Sequence, residues 1–218
     1  MNTFAVVCLY MIMRGTNIKE LCSPYNITTL LPFNEHSWFG DSNALELKKL
    51  IKIGAIKNIV ELGSWMGGST RFMAKLLPVN GKIYAVDFWG SDVADPQSQE
   101  ALEKTYDLTK IYDQFLSNVI HANLTDKIVP IRMSTMSAAK KIAELGVEID
   151  LVYVDASHDE ISVYQDISTY WPFVSEKGIM CGDDYEFPDV KKAVTKFATE
   201  HNLKISVNGT FWKYNKIK

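Results

Sequence analysis

The sequence predicts an α/β fold in which an open, mainly parallel sheet carries helices on both faces. Three observations predict it. From about Asn34 onward, strand-period and helix-period segments alternate, which calls for crossover units between parallel neighbours. The run Asp150-Leu-Val-Tyr-Val154 is almost wholly apolar, as suits a strand buried on both faces. An Asn208-Gly209 pair separates the last two apolar runs; this is a strong hairpin signal, so the final strand should turn antiparallel.

The elements follow in order. Asp41 to Ile53 is an amphipathic helix, with Asp41, Ser42 and Asn43 as polar caps and Leu45, Leu47, Leu50 and Ile51 at helical spacing. Lys57 to Leu62 is a short strand closed by Gly63, and Thr70 to Leu77 a helix stopped by Pro78. Lys82 to Val86 is a second strand, ending at Asp87. Residues 88–109 are polar, irregular and broken at Asp95-Pro96; they read as an insertion or lid with a short helix from Gln97 to Tyr106. Helix Lys110–Ala122, strand Lys127–Met133 and helix Ser137–Leu145 come next. Strand Asp150–Val154, helix Ile161–Tyr170, strand Gly178–Cys181 and helix Asp189–Glu200 precede the terminal strands near Leu203–Val207 and Thr210–Tyr214.

A chain of 218 residues suits one domain, taken as residues 34–218 behind an N-terminal extension at 1–33. With 47% hydrophobic and 22% charged residues, wholesale disorder and a polytopic membrane protein are excluded. A net charge of −3 gives no reason to gather on phosphate backbones, so neither nucleic acid nor membrane is expected as a partner. The apolar run Phe4–Met13 is too short to span a bilayer and lacks a preceding basic residue, so it reads as a docked or disordered extension. Three cysteines without metal-ligand spacing fit a reduced, cytoplasmic chain. Aromatic residues near the N-terminus make a homodimer plausible.

Open sheets of this kind bind ligands beyond the carboxyl ends of their strands. There the first strand runs into Glu61-Leu-Gly63-Ser64-Trp65-Met66-Gly67-Gly68-Ser69-Thr70, an E-x-G-x-x-x-G turn rather than the dinucleotide G-x-G-x-x-G. Asp87 ends the second strand 26 residues after Glu61, in position to accept hydrogen bonds from a ribose diol. The plainer alternative is a strand–helix turn with a capping acid, in which Glu61 only orients the turn by accepting backbone N–H groups.

At these residues the sequence resembles the class I S-adenosylmethionine-dependent methyltransferases. The matching stretches are VELGSWMGGST (60–70), IYAVDFWG (83–90), IDLVYVDASHDE (149–160) and GIMCGDDY (178–185). The likeness is nearest to the macrocin-type and catechol-type small-molecule O-methyltransferases, and TFWKYNK (210–216) is similar to their last strand. It implies a Rossmann-like, doubly wound, seven-stranded sheet of order 3-2-1-4-5-7-6 with strand 7 antiparallel. It also implies that Glu61, Gly63, Ser64, Gly67 and Ser69 surround the methionine moiety of the cofactor. Asp87 would take the ribose hydroxyls, Phe88 or Trp89 would lie beside the adenine, and Ser134 would lie at its edge.

Asp155 follows the fourth strand, and Asp183 and Asp184 follow the fifth. On neighbouring strands the three carboxylates would converge, and such charge needs a cation or a proton. An all-oxygen set suits Mg²⁺ or another divalent cation; alternatively, Asp155 caps the helix near Glu160 and the aspartate pair caps a turn. The resemblance favours the metal, and Asp155 also stands among the cofactor contacts and catalytic groups. His158 stands where the catechol-type enzymes place a lysine base, and a histidine can take a hydroxyl proton at neutral pH. It could equally be a ligand or a substrate contact. The activity implied is metal-assisted O-methylation of a small hydroxylated acceptor: a sugar, a phenol or a natural product. The alternatives are a nicotinamide-dependent oxidoreductase and a non-catalytic S-adenosylmethionine-binding protein. His36 is either a lid residue or an ordinary surface histidine, and Trp38 and Phe39 are packing residues or substrate walls.

Overall fold

The computed structural model describes residues 18–90 and 104–216. The apolar run Phe4–Met13 and most of the expected helix Gln97–Tyr106 lie outside the described residues. Seven strands form one sheet: β1 (Asn58–Leu62), β2 (Lys82–Asp87), β3 (Ile128–Arg132), β4 (Ile149–Val154), β5 (Val174–Gly182), β6 (Leu203–Asn208) and β7 (Phe211–Lys216). Their order is β3-β2-β1-β4-β5-β7-β6. The first five pair in parallel, and β7 runs antiparallel to both β5 and β6. The β6–β7 hairpin turns at Gly209, where a positive φ of 63° suits the residue without a side chain.

Among the described residues, six α-helices cover the sheet: α1 (Asp41–Ile53), α2 (Gly68–Leu76), α3 (Ile111–His121), α4 (Thr135–Glu144), α5 (Glu160–Tyr170) and α6 (Pro188–Glu200). The two faces follow from the strand period of two. Ile59, Leu151 and Tyr153 point into one core with Leu47, Met73 and Phe115, from α1, α2 and α3. Val60, Val152 and Val154 point into the other with Ile142, Ile167 and Phe197, from α4, α5 and α6. Each fully buried aliphatic or Phe side chain contributes about 1.5–3 kcal/mol relative to exposure. At one edge, β3 carries Pro130, which withholds an N–H and discourages pairing with another chain.

Some boundaries and caps differ from the sequence expectation. β5 begins at Val174, ahead of Gly178, because the register against β4 shifts between Ile149 and Leu151 and admits the extra residues. α2 begins at Gly68, two residues before Thr70, because Gly67 takes the left-handed cap conformation. α1 has no side-chain cap: Gly40 precedes it, and Asn43 is buried, donating from Nδ2 to Thr210 Oγ1 at 3.0 Å.

Residues 18–33 are docked on the domain. The buried Tyr25 hydroxyl donates to the Ile128 carbonyl at 2.8 Å, and Thr28 Oγ1 donates to Asp113 at 2.7 Å. Among the described residues, no helix is long and apolar enough to cross a membrane.

Candidate active site at the carboxyl rim of the sheet

The loop between β1 and α2 is held by two acids. Asp87, the last residue of β2, accepts the Ser64 and Trp65 N–H groups on Oδ2 at 2.9 and 2.8 Å, and the Trp89 N–H on Oδ1 at 2.7 Å. Burial pushes its pKa up and these N–H bonds pull it back. Glu61, with 0% exposure, accepts hydroxyls rather than backbone amides: Ser64 Oγ at 2.8 Å, Ser69 Oγ at 2.5 Å, and Thr70 Oγ1. Burial raises its carboxyl to about 7 against the pull of those three donors. The Met66 carbonyl is fixed from outside by Arg71 Nη1 at 2.7 Å and Asn118 Nδ2 at 2.9 Å.

Gly63 sets the distance between this turn and the next loop. Its φ is +84°, and a Cβ there would lie 1.9 Å from the Asp155 carbonyl oxygen. Only glycine lets the β1 and β4 loops close to this contact.

The residues expected at the adenine separate. Phe88 is 51% exposed at the rim, whereas Trp89 is 3% exposed. Trp89 turns into the core, its ring 4.5 Å from that of Phe115 and its Nε1 donating to the Trp65 carbonyl at 2.6 Å. Ser134 is an exposed N-cap of α4, accepting the Ser137 N–H at 3.2 Å.

The three aspartates meet at the rim of β4 and β5 beside a cleft of about 10 Å³, room for about one water, lined in part by Asp155, Ser157, Asp183 and Asp184. Burial, with the charges of Asp183 and Asp184, holds the Asp155 carboxyl well above the usual carboxylate range. The capping reading of Asp155 fails, because Asp159 caps α5 by accepting the Ser162 N–H at 2.9 Å. Asp183 does cap its turn: Oδ1 accepts the Asp184 N–H at 2.7 Å. Asp184 sits at φ +63° and meets His158 Nε2 at 2.9 Å. His158 stacks on Phe187 with centroids 5.0 Å apart, and the Asp184 carboxylate raises its pKa.

The expected magnesium triad is not built. Among the described residues, no three His, Cys, Asp or Glu side chains are gathered to hold a metal ion. Asp184 is engaged by His158, and Asp183 by its neighbour's amide. Asp155, Asp183 and Asp184 thus line one cleft without being gathered as a ligand set.

Sequence reasoning missed an aromatic quartet over the turn. His36 meets Trp38 at 4.7 Å and Tyr106 at 5.0 Å between ring centroids. Trp65 closes the circuit, at 5.2 Å from Trp38 and 5.7 Å from Tyr106. Four aromatics dispersed over seventy residues give no local pattern; only the density of rings at 36–39 hinted at it. Away from the site, His121 Nε2 bonds the Leu31 carbonyl, His201 stacks on Phe197, and Tyr185 lies against the second core.

Comparison with known proteins follows this geometry. A family described as "Methyltransferase domain" matches residues 60–185, from the turn to the aspartate pair and beyond half of the chain. An O-methyltransferase from Bacillus cereus, solved in complex with SAH, superposes with a TM-score of 0.63 at 16% identity, over 86% of this chain and 84% of that one. TomG, an O-methyltransferase of tomaymycin synthesis from Streptomyces achromogenes solved with SAM, gives a TM-score of 0.61 at 13% identity, over 81% and 79% of the two chains. At these identities the likeness is one of fold. No curated protein matches the chain. The match spans the glycine turn, Asp87 and the rim of β4 and β5, and it sets the nicotinamide alternative aside: the chain belongs to this methyltransferase-domain family.

Proposed function

We propose that the protein is an S-adenosylmethionine-dependent O-methyltransferase acting on a small hydroxylated molecule. One observation carries this reading: the β1–α2 turn is pinned through its own amides to the acid that ends β2. That preorganises a bend and a carboxylate at the switch point of the sheet, where a nucleoside ligand lies in folds of this type. Two structural neighbours whose names include O-methyltransferase, solved with SAH or SAM, support it.

When bound, S-adenosylmethionine supplies a methyl group on a sulfonium, and the C–S bond breaks as the C–O bond forms. The chain's own part is alignment and proton handling. Gly63, Ser64, Gly67 and Ser69 bend the backbone around the methionine end, and Glu61 keeps that bend rigid. Asp87 Oδ1, with one N–H partner, retains a lone pair for a ribose hydroxyl. Phe88 offers its exposed ring to the adenine, with Ser134 at the edge. Asp155 lines the small cleft at the rim of β4 and β5, beside the pair of His158 and Asp184. His158 takes the acceptor's hydroxyl proton, and Asp184 holds the resulting imidazolium.

Transfer of tritiated methyl from S-adenosylmethionine to a panel of hydroxylated acceptors, with amine and thiol analogues beside them, tests the assignment. Label on oxygen is the expected outcome; label on nitrogen or sulfur alone, or on none, contradicts it.

A further inference from the structure

The bend between β3 and α4, where Ser134 stands, is fixed at both ends. At one end the Met133 N–H donates to the carbonyl of Asp87 at 3.1 Å. At the other end α5 grips the first turn of α4 with three side chains. The Tyr170 hydroxyl donates to the Thr135 carbonyl at 2.7 Å, and Thr169 Oγ1 donates to Met136 Sδ at 3.5 Å. The Thr135 hydroxyl in turn donates to the Asp166 carboxyl. Residues 166, 169 and 170 share one stripe of α5 by helical spacing. Asp166 is only 3% exposed, and a carboxyl group is costly to bury for packing alone. Burial raises it to about 6 against the pull of the Thr135 hydroxyl. Its place has a physical reason: the first turn of α4 carries no acid of its own, and a carboxylate there offsets the partial positive charge of the helix N-terminus.

We propose that Asp166 is a positioning residue for the base of the cofactor: by holding Thr135 it sets the bend at 133–135 against the adenine edge and so maintains the preference for adenine. This rests on the S-adenosylmethionine reading above. Asp166 touches no part of the nucleoside; it acts through Thr135, whose neighbour Ser134 is the residue assigned to that edge. A site built to hydrogen-bond one base edge rejects an analogue by leaving a group unpaired, and it does so only while its own atoms stay in place. The grip also ties the two halves of the rim together. Helix α5 starts two residues after His158, so the adenine bend and the proton-handling histidine are referenced to one rigid element.

The test is calorimetry on the full chain with S-adenosylhomocysteine and, separately, S-inosylhomocysteine, which differs only in carrying a carbonyl oxygen where adenine has its amino group. The wild-type chain should prefer the adenine compound by about tenfold or more. Asp166→Ala should lose most of that preference, and Asp166→Asn should keep it within about threefold, because an amide oxygen still accepts the Thr135 hydroxyl. Thr135→Val, which removes the hydroxyl and leaves α5 intact, should reproduce the alanine variant and serves in its place if that variant does not fold. A role confined to stability would weaken both compounds alike and leave their ratio unchanged. The proposal is overturned by an unchanged ratio in folded Asp166→Ala or Thr135→Val, or by an asparagine variant as impaired as the alanine one. The wild-type titrations separate the two readings: binding of both compounds without preference sinks the role of Asp166 alone, and no heat from S-adenosylhomocysteine sinks the functional reading with it.

Discussion

Glu61 spends its carboxyl on three hydroxyls of its own turn, so its titration is coupled to the shape of the site. Its folded pKa, about 7, lies above the ordinary 4.5. Below the ordinary value the group is protonated in both the folded and unfolded states, and its contribution to stability is fully present. As pH rises through the folded value that contribution is lost, up to about 3 kcal/mol for this shift. Glu61→Gln should therefore flatten the dependence of melting temperature on pH between 5 and 8, and an unchanged slope would show that the acid does not titrate there. The His158–Asp184 pair is the other residue-scale claim. His158→Gln should lower kcat about 10²-fold or more with S-adenosylhomocysteine affinity intact, measured by label transfer and calorimetry on one preparation. At this scale the sequence was legible only for type and position. Asp87 stood out as the acid ending a strand, but its bonds to Ser64 and Trp65 depend on how the turn folds back. Phe88 and Trp89 were indistinguishable until the +43° φ of Trp89 sent one ring to the core and left the other outside.

Among the elements, the β1–α2 turn bears the most. Gly63→Ala forces a Cβ into the Asp155 backbone at a φ that alanine disfavours, and no flexible side chain is there to yield. The variant should lose several kcal/mol of stability, with its melting temperature down by roughly 2–4 °C per kcal/mol, and cofactor binding should fall with it. Wild-type stability would mean that the two loops are not in contact. Elements were the most legible level, because periodicity is a local property. Helix Asp41–Ile53 was read to the residue. The antiparallel last strand followed from one Asn-Gly pair. The early start of β5 was not legible, since a register shift against β4 is a pairing decision that neither strand records alone.

At the scale of the whole molecule, one sheet rim gathers a nucleoside-shaped bend, a histidine–carboxylate pair and a set of aromatic rings. The sheet order could be anticipated from the family resemblance, and it places β1 between β2 and β4, so Asp87 and Asp155 flank the same turn. The metal triad illustrates the limit of such carry-over: of the three acids at the expected strand ends, Asp184 is engaged by His158 and Asp183 by a backbone amide, which only three-dimensional packing reveals. Turnover should accordingly persist after dialysis against EDTA, retaining more than about half of its rate; loss restored by Mg²⁺ alone would return the rim to a metal.

The central claim is that the turn at 63–67 and Asp87 hold the nucleoside cofactor, and titration of S-adenosylhomocysteine into the folded chain by calorimetry tests it most directly. The account predicts saturable one-to-one heat that Asp87→Ala abolishes while the protein stays folded; the absence of heat from the wild-type chain, or full heat from the variant, would contradict it.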